Sequence, residues 1–136
     1  MTAAPRLRVL IVDDDEDQLV VRSLLLECAG FSITRASDVS SALSAAATIE
    51  PECAVVDLRL PTEADGLRLI RELKGLNEKL ELFVLTGADP NSLLTRPEVH
   101  FVREVLLKPV PSGCLIESLK QVESEITAGL VNGNSS

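Results

Sequence analysis

Leu7-Arg8-Val9-Leu10-Ile11-Val12-Asp13-Asp14-Asp15 is the stretch on which the fold turns. Its first six residues are nearly all apolar and rich in β-branched side chains, the pattern of a strand buried on both faces. The run stops abruptly at three aspartates. A second run of the same kind, Cys53-Ala54-Val55-Val56, also ends in an aspartate, Asp57. Leu80 to Leu85 gives a third, ending at Thr86-Gly87, and Glu104 to Leu107 a fourth, ending at Lys108-Pro109. Phe31 to Arg35 reads as a further, more polar strand.

Helical patterns fill the intervals. After Asp15, the residues Val20, Val21, Leu24, Leu25 and Cys28 form an apolar stripe, and Gly30 stands where a helix C-terminal glycine belongs. Ser37 or Asp38 can cap an Ala-rich helix over Val39 to Ile49, which Pro51 ends. Pro61 and Gly66 punctuate a loop before a helix from Leu67 to Lys74, with Leu67, Ile70 and Leu73 facing inward. Asp89 to Arg103 is the least legible segment: Asn91 to Leu94 can begin a short helix, and Pro97 interrupts it. The last helix carries Leu115, Leu119, Val122 and Ile126, and Asn132 to Ser136 reads as disordered. Strand and helix thus alternate about five times, which argues for an α/β fold with a parallel sheet covered by helices on both faces.

Composition sets the limits. A chain of 136 residues, 46% hydrophobic, suits one domain with a substantial core. The net charge of −8 disfavours direct DNA or RNA binding, and three Phe with no Tyr or Trp supply no stacking platform for single strands. Cys28, Cys53 and Cys114 are odd in number and widely spaced, so they read as reduced core thiols rather than as metal ligands or redox partners. No stretch resembles a signal peptide or a membrane span, and a cytoplasmic location is expected. Asp15, Glu16 and Asp17 read as exposed residues favouring a helix N-terminus. His100, the sole histidine, reads as a surface residue.

In a parallel sheet the strand ends share one edge, so Asp13, Asp14, Asp57, Thr86 and Lys108 converge. Clustered carboxylates need a compensating cation, and oxygen ligands suit Mg²⁺. Lys108 supplies a point charge for a carboxylate or a phosphoryl oxygen, Thr86 a hydroxyl, and Asp57 a carboxylate nucleophile. No residue reads as a base for a hydroxyl substrate, so the set suits phosphoryl transfer to the protein itself.

Over residues 6–128 the chain resembles a response-regulator receiver domain of two-component signalling. The resemblance rests on Val12-Asp13-Asp14, Val56-Asp57-Leu58-Arg59-Leu60-Pro61, Asp65-Gly66, Thr86-Gly87 and Lys108-Pro109, in that order. It implies a doubly wound, flavodoxin-like, five-stranded parallel sheet in the order 2-1-3-4-5, with 1–5 and 129–136 as flexible termini. Asp57 is then the phosphoacceptor. Asp13, Asp14, Asp57 and the main-chain carbonyl of Arg59 hold Mg²⁺. Thr86 and Lys108 meet the phosphoryl group, and Pro109 follows a cis bond. The implied partners are a histidine kinase or histidine phosphotransfer protein and a downstream partner, with room for a homodimer. The implied role is signalling rather than enzymatic, the domain assisting its own phosphorylation and dephosphorylation.

Three features depart from the family pattern. The loop from Asp57 to Gly66 is one residue longer than usual. Val105 stands where many receivers carry Tyr or Phe, so the family's aromatic switch does not carry over. Pro97 and Glu98-Val99-His100-Phe101 make the fourth-helix region atypical. Two other functions compete. A constitutive interaction module would keep the fold without phosphorylation. A phosphatase similar to the haloacid dehalogenases would place its nucleophile after strand one and need a cap domain.

Overall fold

The computed structural model describes residues 6–87 and 93–133. Five strands, β1 (Arg8–Val12), β2 (Ser32–Ala36), β3 (Cys53–Asp57), β4 (Glu81–Thr86) and β5 (Val102–Leu107), form one parallel sheet in the order β2-β1-β3-β4-β5. Among the described residues four α-helices connect or follow them: α1 (Glu16–Cys28), α2 (Val39–Ile49), α3 (Glu63–Leu76) and α4 (Ser112–Gly133). The expected architecture and strand order are both present. The segments 1–5 and 134–136, and the helix start at Asn91 and Ser92, lie outside the described residues. Residues 129–133 belong to α4, so Asn132 and Gly133 are helical rather than disordered.

Alternation along the strands builds two cores. Leu10, Val12, Ala54, Val56, Leu82 and Val84 face α2 and α3, where Ala42, Ala46, Ile70 and Leu73 meet them. Val9, Ile11, Cys53, Val55, Phe83 and Leu85 face α1 and α4, where Leu19, Leu26, Leu115, Leu119 and Val122 meet them. β3 is buried along its whole length, as a central parallel strand must be.

The apolar stripe expected on α1 is not the buried one. Val20, Val21, Leu24 and Leu25 are exposed, as is Cys28, and the helix buries Leu19, Ser23 and Leu26. Apolar residues surround this helix, so periodicity alone left its rotation open. An N-cap fixes its start: the Asp15 carboxylate accepts hydrogen bonds from the backbone N–H groups of Asp17 and Gln18. Asp38 caps α2 in a reciprocal box with Ser41. Gly30 follows α1 with a φ of 102°, a conformation that glycine adopts without penalty.

β5 begins at Val102, two residues earlier than expected. Its register against β4 pairs Leu82 with Val102 but Phe83 with Glu104, so Arg103 is skipped. This irregularity lets Val102 and Val105, three positions apart, pack on the same core. The skipped Arg103 pairs with Glu81 on β4 and Glu125 on α4. Before β5, Pro97 does not merely interrupt a helix; it starts a 3-10 turn over Pro97–Phe101. Glu98 in that turn is buried against Arg71 of α3, whose guanidinium holds its carboxyl below the usual carboxylate range. His100 is exposed, as expected.

Of the three thiols expected in the core, only Cys53 is there; Cys28 and Cys114 are exposed on helices. Burial, with Glu81 and Glu52 nearby, pushes the Cys53 thiol up to about 12. Alkylation of the native protein at pH 8 should therefore modify Cys28 and Cys114 and spare Cys53 until the chain is denatured. Peptide mapping of the labelled sites checks this. A second expectation concerns Ser23. Among the described residues, its buried hydroxyl has no hydrogen-bond partner. Ser23→Ala should stabilise the fold by about 1 kcal/mol, raising the melting temperature by about 4 °C; a calorimetric melt that fell instead would show that the hydroxyl is satisfied.

Candidate functional site

The sheet register determines which side chains meet. Val12 lies level with Val56, so Asp13 and Asp57 leave their strands side by side. Asp57 lies level with Leu85, and Thr86 level with Leu107, which puts Thr86 and Lys108 at the same edge. Asp13, Asp14, Asp57, Arg59, Thr86 and Lys108 all line one cleft of about 370 Å³ at this edge. The residues expected at the site from the sequence thus all line this cleft.

Asp57 is buried, and each of its carboxylate oxygens is engaged. Oδ2 accepts from Lys108 Nζ at 2.6 Å, and Oδ1 from the Arg59 backbone N–H at 3.0 Å. Lys108 is positioned by its own backbone N–H, which donates to the Thr86 carbonyl at 2.7 Å. The Lys108–Pro109 bond is cis, as the resemblance implied; Leu60–Pro61 is cis as well, which it did not. Asp13 is completely buried. Its Oδ1 accepts from the Asp15 N–H at 2.9 Å, and its Oδ2 from Arg22 Nη1 at 3.1 Å. Asp14 is exposed at the cleft.

One oxygen from each of Asp13, Asp14 and Asp57 lies within 4.8 Å of the others. Three hard oxygen donors at this separation, two of them on buried carboxylates, fit a small divalent cation. Asp15 and Glu63 add further negative charge to the cleft, against Arg59 and Lys108. The arrangement offers a held carboxylate, a cation beside it and a strongly acidic neighbourhood, which suits a phosphoryl group arriving with a metal ion.

The loop after Asp57 ends in a helix cap. Thr62 Oγ1 accepts from the Asp65 N–H and donates to the Asp65 carboxylate, so α3 starts at Glu63 rather than at Leu67. Gly66 is consequently not a loop residue. It lies in the first turns of α3, against the Leu58 backbone, where an added Cβ would come within 1.8 Å of the Leu58 carbonyl oxygen. Sequence reasoning missed two participants, Arg22 and Glu63. Arg22 carried no signal, because its approach to Asp13 depends on the rotation of α1, and Glu63 was assigned to a loop.

A family model described as the response regulator receiver domain matches residues 9–120. Among curated proteins, the acid tolerance regulatory protein ActR of Rhizobium meliloti (strain 1021) is 30% identical over 121 residues, covering 89% of this chain and 62% of that protein. The first curated relatives are longer than this chain, which spans between 26% and 62% of their lengths. Among solved structures, a CheY-like receiver domain protein from Methanospirillum hungatei JF-1 superposes with a TM-score of 0.80 at 24% identity, over 92% of this chain and 100% of that one. A response regulator from Burkholderia pseudomallei, solved with a phosphorylated aspartic acid, a calcium ion and citrate, gives a TM-score of 0.74 at 28% identity, over 93% of this chain and 74% of that one.

The packing of Gly66 has a direct test. Gly66→Ala must displace the Leu58 backbone, one residue from Asp57. It should cost about 3 kcal/mol of stability, measured by urea unfolding. A loss below about 1 kcal/mol would show that α3 can move away freely.

Proposed function

Since this chain belongs to the response regulator receiver domain family, we propose that Asp57 is the residue that accepts the phosphoryl group. The carrying observation is the buried Asp57 carboxylate, with Lys108 Nζ at 2.6 Å and the Asp13 and Asp14 carboxylates grouped beside it. The donor is a phosphohistidine on a histidine kinase or a phosphotransfer protein. An Asp57 oxygen attacks phosphorus, the new O–P bond forms, and the N–P bond breaks with its electron pair passing to the donor imidazole. Lys108 moves its charge from the carboxylate to a phosphoryl oxygen, and the Thr86 hydroxyl donates to another.

Mg²⁺ is the metal that the donor set favours, held by Asp13, Asp14, Asp57 and the Arg59 main-chain carbonyl. When bound it supplies positive charge to the phosphoryl oxygens. The unit carrying this activity is taken as residues 6–128, working in the cytoplasm; no helix among the described residues is long and apolar enough to cross a membrane. Its role is signalling, with turnover confined to its own phosphorylation and dephosphorylation. Output passes to a downstream protein partner or a second copy of the chain rather than directly to nucleic acid, in keeping with the net charge of −8.

Val105 packs against the core through Val84 and its neighbours and offers no ring to rotate. Switching is therefore assigned to the Thr86 hydroxyl and the backbone that follows it. Val105 and the atypical segment around the 3-10 turn Pro97–Phe101 favour a constitutive interaction module, in which partner binding ignores Asp57.

Incubation with Mg²⁺ and acetyl phosphate, read by phosphate-affinity electrophoresis, separates these readings. Wild type should acquire a hydroxylamine-labile phosphoryl group that Asp57→Asn lacks. Beryllofluoride should shift the amide spectrum of wild type alone. Identical behaviour of the two proteins overturns the assignment and favours the constitutive module.

A further inference from the structure

Asp13 is neutralised from behind by a residue that plays no part in the proposed transfer. It has no solvent exposure, and its second oxygen is held by Arg22 Nη1 at 3.1 Å, from the second turn of α1. The Arg22 side chain is itself only 19% exposed. Asp57 has Lys108 on its other side. The three-carboxylate cluster therefore contains two built-in cations before any metal enters. Lys108 has a phosphoryl group to move to; Arg22 is anchored in a helix and remains beside Asp13. A divalent ion bound by Asp13 must share that carboxylate with a guanidinium and tolerate its positive charge.

We propose that Arg22 is a positioning residue that sets the Mg²⁺ affinity of the site: it stabilises the metal-free state by pairing with Asp13 and so raises the Mg²⁺ concentration at which the acceptor becomes competent. The inference rests on the reading of Asp13, Asp14 and Asp57 as the metal site. The pair serves both sides of one equilibrium. Without metal, a buried carboxylate needs a partner, and Arg22 is it. With metal, the same partner competes. The guanidinium lies 3.1 Å from Asp13 Oδ2, so a divalent ion approaching that carboxylate meets a like charge a few ångströms away.

The test is a calorimetric Mg²⁺ titration at pH 8, without phosphodonor, on wild type, Arg22→Met, Arg22→Lys and Asp14→Asn. Arg22→Met keeps the apolar stem and removes the charge. It should bind Mg²⁺ roughly tenfold more tightly, melt lower than wild type without metal, and gain more in melting temperature from Mg²⁺. Arg22→Lys, which restores the charge, should return the affinity most of the way to the wild-type value. Unchanged or weaker binding by Arg22→Met, with wild type binding Mg²⁺ and Asp14→Asn impaired, overturns the role of Arg22 alone. If neither wild type nor Arg22→Met binds Mg²⁺, or Asp14→Asn binds as wild type does, the metal-site reading fails and the inference with it. Should Arg22→Met not melt cooperatively, Arg22→Gln takes its place, keeping a donor to Asp13 without charge. If neither melts cooperatively even at saturating Mg²⁺, Arg22 is structural and the proposal is wrong.

Discussion

Two buried carboxylates set side by side at the carboxyl edge of a parallel sheet are the constraint on which the rest of the structure depends. Asp13 has no exposure and Asp57 very little. Ionised carboxylates in such places are costly unless each is paired and hydrogen-bonded. The chain meets that demand from four directions. Arg22 arrives from α1, Lys108 from the end of β5, and the backbone N–H groups of Asp15 and Arg59 turn back onto the carboxylates that precede them. Each of these fixes more than a charge. The Asp15 turn continues into the cap that starts α1, and the Arg59 turn leads into the Thr62 cap of α3. The Lys108 backbone is tied to Thr86. Loop geometry around the cleft follows from satisfying two acids.

Much of this was legible because strand ends are marked twice in a parallel sheet. The apolar run identifies the strand, and the polar residue that stops it must lie at the functional edge. Val12-Asp13, Val56-Asp57, Thr86-Gly87 and Lys108-Pro109 each carry both marks, so architecture and site could be read together. Helices facing a two-sided core are marked only once, by periodicity. On α1 periodicity was uninformative, since Leu19, Val20, Val21, Leu24, Leu25 and Leu26 are all apolar. The buried stripe is Leu19, Ser23 and Leu26, of which Leu19 and Leu26 pack into the core with β1, β3 and β4. Misjudging that rotation hid Arg22 and placed Cys28 in the core. Cys114 was misplaced for a different reason, because an apolar neighbour, Leu115, takes the buried position beside it.

Other features were illegible because they depend on contacts between distant backbones. Gly66 looks like loop punctuation in sequence, yet it marks the closest approach of α3 to the Leu58 carbonyl. The skipped Arg103 is invisible to any alternation rule, which would send Val102 and Val105 to opposite faces. The register shift brings both to one core and leaves Arg103 to join β4 and α4 through Glu81 and Glu125. The edge strand is thereby held at a residue that makes no regular register pair. In the same region Arg71 and Glu98 tie the 3-10 turn to α3. Over its described residues this segment is thus secured by charged pairs as well as by the apolar contacts of Leu93 and Val99 with the core.

The two cations of the site differ in kind, and the difference matches what each must do. Guanidinium is planar, always charged and weakly hydrated, so it tolerates a mostly buried position against a carboxylate that water cannot reach. Arg22 occupies such a position, anchored in mid-helix. Ammonium is a compact, mobile point charge on a flexible stem. Lys108 sits at the cleft wall with its side chain 26% exposed, one step beyond β5. In the proposed transfer to Asp57 its partner would change from a carboxylate to a phosphoryl oxygen, and a point charge can follow that change without a fixed fork geometry. Exchanging the two residue types would leave the net charge of the pocket unaltered. It would nevertheless put the adaptable cation where nothing needs to move and the rigid one where the proposed transfer requires a change of partner.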